Sequence, residues 1–336
     1  MIRSQPDVTF VVAAYNSADT IVPAIESALA QRGVTVEVLV VDDCSSDDTR
    51  SVVSAIDDPR VRLIALQQNR GPGGARNAGL QQASGRWIAT LDSDDTIHPD
   101  RLRRMLDRAE RMDAEVAVDN IEVVSGDGRR QQMFERAELQ RHPTISLAEF
   151  IESNVLFEAE HNFGYLKPVF ERAFIEIHGL RFDETLRIGE DYIFLASALA
   201  KGARCAVEPE PGYVYHIREG SISRVLKIHH VDAMLAADET FLRSHQLDEA
   251  AKLAQRKRSR SLREARSFLT LVEQLKTKSL GGAVRTAFSN PAALRHLRMP
   301  IAARLRRLTA PRPSPAATVV AAGQPNPGNS PHKSKG

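Results

Sequence analysis

Short apolar runs alternate with helical repeats over the first third of the chain. Val8 to Ala14 is apolar and rich in β-branched residues, which predicts a buried strand ending at Tyr15-Asn16-Ser17. Ile21, Ile25 and Leu29 then share one face of a helix that Ser17 or Asp19 can cap, with Gly33 just past its end. Val36 to Val41 repeats the strand pattern, Thr49 to Ile56 the helix and Val61 to Leu66 the strand. A glycine-rich loop, Asn69 to Gly74, leads into a helix over Ala75 to Ala83, and Trp87 to Leu91 makes a further strand. Such alternation predicts an α/β, doubly wound sheet with mostly parallel strands. The tips of those strands share one edge, where open α/β folds keep their ligands.

Further on the pattern loosens. Asp100 to Arg111 predicts a basic amphipathic helix and Val116 to Val118 a strand, whereas Ile121 to Pro143 reads as a polar excursion over the site. Residues 145–200 read as mostly helical around a polar knot, Arg187 to Tyr192. A strand over Ala203 to Val207 and a Pro/Gly turn precede Tyr213 to His216, and a catalytic domain is expected over residues 1–224. Beyond it, a helix over His229 to Leu247 and two basic amphipathic helices form an extension over residues 225–310. One groups Leu262, Ala265, Phe268, Leu269, Val272 and Leu275; the other groups Leu294, Leu297, Ile301, Leu305 and Leu308 and is bent or split at Pro300. Residues 311–336, rich in Pro, Gly, Ser and Ala, are expected to be disordered.

Charge divides the chain in the same place. The net charge of +2 conceals −14 over residues 1–250 and +13 over residues 251–310. Basic amphipathic helices bind anionic lipid headgroups, so residues 251–310 point to an anionic membrane surface. Nucleic acid is not an expected partner, because only Phe268 and Phe288 supply aromatic rings in this region. No run of eighteen apolar residues is present and the first seven lack an apolar core, so neither a membrane span nor a signal peptide is expected. Cys44 and Cys205 have no metal-ligand spacing and fit a reduced compartment. The expected location is cytoplasmic, peripheral on the inner face of the cell membrane.

The candidate chemistry centres on Thr90 to Asp95, where Asp92, Asp94 and Asp95 directly follow an apolar strand. Carboxylates crowded this way repel unless cations or hydrogen bonds hold them, and oxygen-only ligation suits Mg²⁺ or Mn²⁺. The same residues can also turn the chain and cap a helix. Asp42 and Asp43 repeat the pattern after the second predicted strand, and Glu190-Asp191 adds an acidic pair within the polar knot.

Five segments, in order, resemble the inverting glycosyltransferases of family 2, which have the GT-A fold: a Rossmann-like, mostly parallel central sheet with flanking helices. They are Val12 to Asn16, Val41 to Asp47, Asn69-Arg70-Gly71 with Ala75-Arg76-Asn77, Leu91 to Asp95, and Gly189 to Tyr192. The resemblance covers about Pro6 to Arg224 and implies transfer of a hexose from a nucleotide sugar, a UDP-sugar by preference, to an acceptor hydroxyl. It implies that Ala14 and Tyr15 line the base and ribose pocket, that Asp43 fixes the base with Asp42 beside it, and that Arg76 contacts the nucleotide or the carboxylates. Asp92 and Ser93 would meet the donor, and Asp94, with Asp92, would hold Mn²⁺ or Mg²⁺. Asp191 would be the general base, supported by Glu190, and His216 would complete the metal shell or contact diphosphate. The N-terminal segments and the single Glu190-Asp191 centre are similar to those of the bacterial exopolysaccharide glycosyltransferases of succinoglycan type, which implies a lipid-linked oligosaccharide as acceptor. Processive synthases of the family carry a Gln-x-x-Arg-Trp element and membrane spans, both lacking in this sequence. Two other readings compete: a nucleotidyltransferase, disfavoured by the missing N-terminal glycine-rich signature, and a non-catalytic sugar-nucleotide-binding scaffold, disfavoured by Glu190 and Asp191.

Overall fold

A computed structural model describes residues 5–156, 162–218 and 226–291. Its elements run β1 (Val8–Ala14), α1 (Ile21–Leu29), β2 (Val36–Asp42), α2 (Thr49–Ser54), β3 (Val61–Ala65), α3 (Gly71–Gln82), β4 (Trp87–Asp92) and β5 (Thr96–Ile97). There follow α4 (Arg101–Met112), β6 (Val116–Val124), β7 (Arg130–Gln132), α5 (Arg136–Arg141), α6 (Leu147–Ser153), a short 3₁₀ turn (Phe163–Tyr165) and β8 (Val169–Glu171). The last are α7 (Arg172–Ile177), α8 (Glu190–Ala200), β9 (Cys205–His216), α9 (Ile228–Ser244), α10 (Glu249–Lys276) and α11 (Leu280–Ser289).

One sheet carries all nine strands in the order β3-β2-β1-β4-β8-β6-β9-β5, with β7 paired to β6. β3, β2, β1 and β4 are mutually parallel, and β6 is parallel to β9. β8 runs antiparallel between β4 and β6. The apolar runs behave as expected of strands covered on both faces: Val8, Phe10, Val11 and Val12 of β1 and Val38 to Val41 of β2 are fully enclosed.

Several elements differ from the pattern-based expectation. Helix α3 starts at Gly71 rather than Ala75, because Pro72 falls in its first turn, where a missing N–H costs nothing. β6 continues to Val124, so the first residues of the expected polar excursion are strand, and their polar side chains are partnered: Asn120 donates to the Phe134 carbonyl at 2.9 Å and Glu122 meets His98 at 2.8 Å. β9 is one long strand through the expected Pro/Gly turn. Pro209 and Pro211 lack a donor N–H, and the pairing shifts register opposite Asp119 to Ile121 instead of ending. Within 145–200, β8 and the 3₁₀ turn interrupt the expected helices.

The first basic amphipathic stretch is α10, and it packs on α6 and α9. Leu262 of α10 joins Leu186, Val231, Met234 and Ala237 in a second apolar cluster, while Ala251 and Ala254 join the main core. Arg258 is buried: its Nε bonds Asp238 at 3.0 Å, its Nη1 bonds the Asn154 carbonyl at 3.0 Å, and its guanidinium lies 3.6 Å over the Tyr192 ring. Lys257 pairs with Glu152 and Arg266 with Asp232. The second expected basic helix and the tail lie outside the described residues. Among the described residues no helix is long and apolar enough to cross a membrane.

Candidate active site

The tips of β1, β2 and β4 and the starts of α3 and α8 surround one cavity of about 1020 Å³. Two loops of this edge are stitched together. The Asn16 amide N–H donates to Ser45 Oγ at 2.9 Å, its side-chain oxygen accepts from the Ser46 N–H at 2.8 Å, and the Ser17 N–H donates to Thr49 Oγ1 at 2.8 Å. Ser17 and Ser93 share a hydroxyl hydrogen bond of 2.8 Å, which joins the β1 tip to the β4 tip. Ala14, Tyr15, Asp43, Arg76, Asp92, Ser93, Asp94, Glu190 and Asp191 all line the cavity.

Asp43 follows β2, and its two carboxylate oxygens accept the Arg70 and Gly71 N–H groups at 2.6 and 2.8 Å. Burial pushes its carboxyl up, and those two hydrogen bonds oppose the shift. Gly71 has φ +77°, and a Cβ there would lie 2.2 Å from Arg187 Nη1. At Gly73 a Cβ would lie 2.8 Å from the Asp183 carbonyl, so glycine permits the loop before α8 to close on α3.

Arg76 is the hub. Its Nη1 donates to Glu190 Oε1 at 2.6 Å and stands 3.1 Å from Asp191 Oδ1, and its Nη2 donates to Asp92 Oδ1 at 2.8 Å. Burial disfavours the cation, yet Asp191, Glu190 and Asp92 raise Arg76 above its ordinary value. Lys167 completes the cluster: its Nζ donates to Asp92 Oδ2 at 2.6 Å and lies 3.7 Å from Asp191 Oδ2. Burial alone would raise the Asp92 carboxyl, but Lys167 and then Arg76 hold it well below the usual carboxylate range. Glu190 is raised by burial and by Asp191, with Arg76 opposing. Both oxygens of Asp92 therefore already face cations.

Asp94 differs from Asp92. Burial, and after it the charge of Asp92, raise its carboxyl, while Arg218 and Lys167 oppose the shift. Asp95 points into the protein: it accepts the Tyr213 hydroxyl at 2.8 Å and the His216 N–H at 2.9 Å, and burial, Asp92 and Asp94 push it up to about 8. Among the described residues no group of three or more His, Cys, Asp or Glu side chains is arranged to hold a metal. Mg²⁺ and Mn²⁺ bound with nucleotides need only one or two carboxylates, the rest of the shell being phosphate and water. The cavity-facing, charge-crowded Asp94 fits that kind of site.

Two expected residues stand outside the lining. Asp42 ends β2, is fully buried, and spends its carboxylate on Arg50 Nε and the Ser45 N–H. His216 turns its ring to Thr96 Oγ1 at 3.0 Å, and burial together with Arg218 and Arg130 lowers its pKa. Lys167 and Arg258, which do line the cavity, carry no sequence signal: the first precedes a three-residue strand, and the second is one of many arginines on α10. Lys167 arrives by register, since Val169 of β8 pairs with Ala89 and the residues before it therefore reach the Asp92 end of β4.

Residues 9–174 match the family described as glycosyl transferase family 2. The succinoglycan biosynthesis protein ExoO of Rhizobium meliloti (strain 1021) is 68% identical over 343 aligned positions, covering 100% of this chain and 99% of the relative. Staphylococcus aureus TarS 1-349 in complex with UDP-GlcNAc superposes with a TM-score of 0.60 at 20% identity, over 84% of this chain and 91% of that one. The mannosyltransferase PcManGT of Pyrobaculum calidifontis, in complex with GDP-Man and Mn²⁺, gives a TM-score of 0.59 at 18% identity, over 91% of this chain and 81% of its own. With its sheet in the GT-A arrangement, the chain belongs to glycosyltransferase family 2.

Proposed function

We propose that this chain transfers a hexose, with inversion, from a UDP-sugar to a hydroxyl of a lipid-linked oligosaccharide during assembly of an exopolysaccharide. The observation that carries this reading is the meeting of Asp43, Arg76, Asp92, Asp94 and Asp191 on one cavity, in a chain 68% identical along its length to a succinoglycan biosynthesis protein. The structural neighbour bound to UDP-GlcNAc supports a uridine donor and the one bound to GDP-Man with Mn²⁺ supports a divalent ion.

The residues divide the work by charge. Asp43 keeps lone pairs beyond those used by Arg70 and Gly71, and these accept the imino N–H of the base, while Tyr15 and the Ala14 backbone flank the base and ribose. Asp94 would hold Mn²⁺ or Mg²⁺, whose charge offsets that appearing on the diphosphate as it leaves. Asp191, at the N-terminus of α8, takes the proton of the acceptor hydroxyl as its oxygen attacks C1 from the face opposite the diphosphate. Arg76 and Lys167 grip Asp191 and Asp92 together, which fixes the base relative to the donor end.

Attachment to the inner face of the cytoplasmic membrane belongs to the same reading. On α10, α11 and the link between them, the exposed apolar residues Leu275, Val284 and Phe288 accompany the exposed cations Lys276, Lys278 and Arg285. The primary test incubates the full chain with UDP-, GDP- and dTDP-sugars, a lipid-linked oligosaccharide extract, and Mn²⁺, Mg²⁺ or EDTA. Release of UDP that stops with EDTA, and a product anomer opposite to the donor's, are expected. Release that ignores EDTA removes the ion from the mechanism, and retention of configuration removes the single-base mechanism.

A further inference from the structure

The chain has five tyrosines, and all five line the cavity. Two of them are structural. Tyr213 donates to Asp95 and accepts the Asp92 N–H at 3.2 Å, and Tyr192 is packed between Phe150, at 5.3 Å, and Arg258. The other three are less enclosed: Tyr15 is 51% exposed, Tyr165 is 41% exposed, and Tyr215 is partly buried against the main core.

Sheet order separates these three into two groups. Tyr15 follows β1, which pairs with one side of β4; Tyr165 immediately precedes the segment leading to β8, which pairs with the other side. Tyr215 lies near the end of β9, beyond β8 and β6 in the same direction. The carboxylate-bearing tip of β4 thus lies between an aromatic residue at the β1 end and two at the β8–β9 end. With the nucleotide at the Tyr15 end, the opposite end is where the attacking hydroxyl must enter.

We propose that Tyr165, together with Tyr215, forms the subsite that binds the terminal saccharide of the acceptor; this rests on the glycosyl-transfer reading above. A pyranose presents an apolar face of C–H bonds and a rim of hydroxyls. A tyrosine ring covers the face while its own hydroxyl meets the rim, with little side-chain entropy to lose. A phenol is neutral at neutral pH, and partial burial with Tyr215 beside it pushes the Tyr165 phenol further up. The subsite selects the acceptor sugar, whereas Tyr15 and Asp43 select the nucleotide.

Two measurements on the full chain test this. In turnover with UDP-sugar and lipid-linked oligosaccharide extract, Y165A raises the half-saturating amount of acceptor about tenfold, with the donor KM changed about twofold at most. Y165F, which keeps the ring face, stays within about threefold of the parent chain. Saturation-transfer NMR with cellobiose as the probe shows contact with the parent chain and loses it in Y165A. An acceptor dependence that does not move, or a donor KM that moves as much, overturns the subsite. If no UDP-sugar is turned over by the parent chain, the transfer reading fails, and the cellobiose measurement alone decides the subsite: loss in Y165A keeps it, while retention in Y165A, or no contact with the parent chain, overturns it. Should Y165A melt early by circular dichroism, Y165L, which preserves bulk but not the ring, carries the same measurements.

Discussion

Arg76 on α3 and Arg101 on α4 are both buried, at 5% and 0% exposure, and both bond aspartates at the end of or within a strand. Arg101 grips Asp119 through Nε and Nη2, each at 2.9 Å, and neither side chain of this buried pair lines the cavity. Its Nη2 also donates to the Lys167 carbonyl at 2.6 Å, and its guanidinium lies 5.3 Å from the Tyr213 ring centroid. Arg76 instead divides one charge among Asp92, Glu190 and Asp191, beside a cavity. Burial is common to both, so burial does not mark function. What separates them is a surplus of carboxylates next to a space that a charged ligand can enter. Lys167 joins the two, its carbonyl held by Arg101 and its ammonium placed in the Arg76 cluster.

The strongest test on the Arg76 side is D191N. Loss of the general base is expected to lower kcat by about 10²- to 10⁴-fold with the donor KM little changed, read by initial rates of UDP release. Full turnover by D191N would put the base elsewhere. On the Arg101 side, R101L leaves Asp119 buried without its partner and should cost about 3–5 kcal/mol in urea denaturation. The double variant R101L/D119L should regain most of that loss, since replacing a whole buried pair by apolar groups is often close to neutral. R76L/D92L should regain no transfer, and recovery there would erase the distinction between the two arginines.

K167M sits between them. It should lower transfer about tenfold to hundredfold, because it removes one of two cations holding Asp92 and Asp191, while the melting temperature falls less than in R101L. A loss of stability equal to that of R101L with normal turnover would make Lys167 structural.

The smallest effect belongs to a buried group with neither charge partner nor cavity. Burial pushes the Cys205 thiol up to about 12 from 9.0. Between those values the unfolded chain gives up this proton before the folded one, so this contribution to stability is present below pH 9.0 and is lost as pH rises toward 12. C205A should lack that loss, and a thiol reagent at pH 8 should label Cys44 in the folded chain and Cys205 only after denaturant is added. Equal labelling of both without denaturant would contradict the burial of β9.

Much of the cavity was legible from residue order alone. β1, β2 and β4 are local apolar runs whose ends are punctuated by Asn16, Asp43 and Asp92, so the strands and the acidic tips appear together in the sequence. The acidic pair of β2 shows where that legibility stops. Alternation along an extended chain sends Asp42 and Asp43 to different environments, but only the packing of β3 and Arg50 against Asp42 decides that Asp43 is the one at the cavity. The length of β9 was hidden for a different reason: prolines usually end strands, and this one continues because its partner β6 absorbs the register shift.

The sequence by itself determined the α/β alternation, the order of the acidic tips and the charge division near residue 250, because period, end punctuation and net charge are properties of neighbouring residues. Only the tertiary structure decided that β8, three residues long, enters between β4 and β6 in the opposite direction. That insertion carries Lys167 to Asp92 across 75 positions of chain and places β8, which follows Tyr165, on the side of β4 opposite β1. Likewise, α10 brings Arg258 over Tyr192 from outside the span of the family motifs. Contacts of this kind depend on which strands become neighbours, and that is chosen by the packing of the whole sheet rather than by any local pattern.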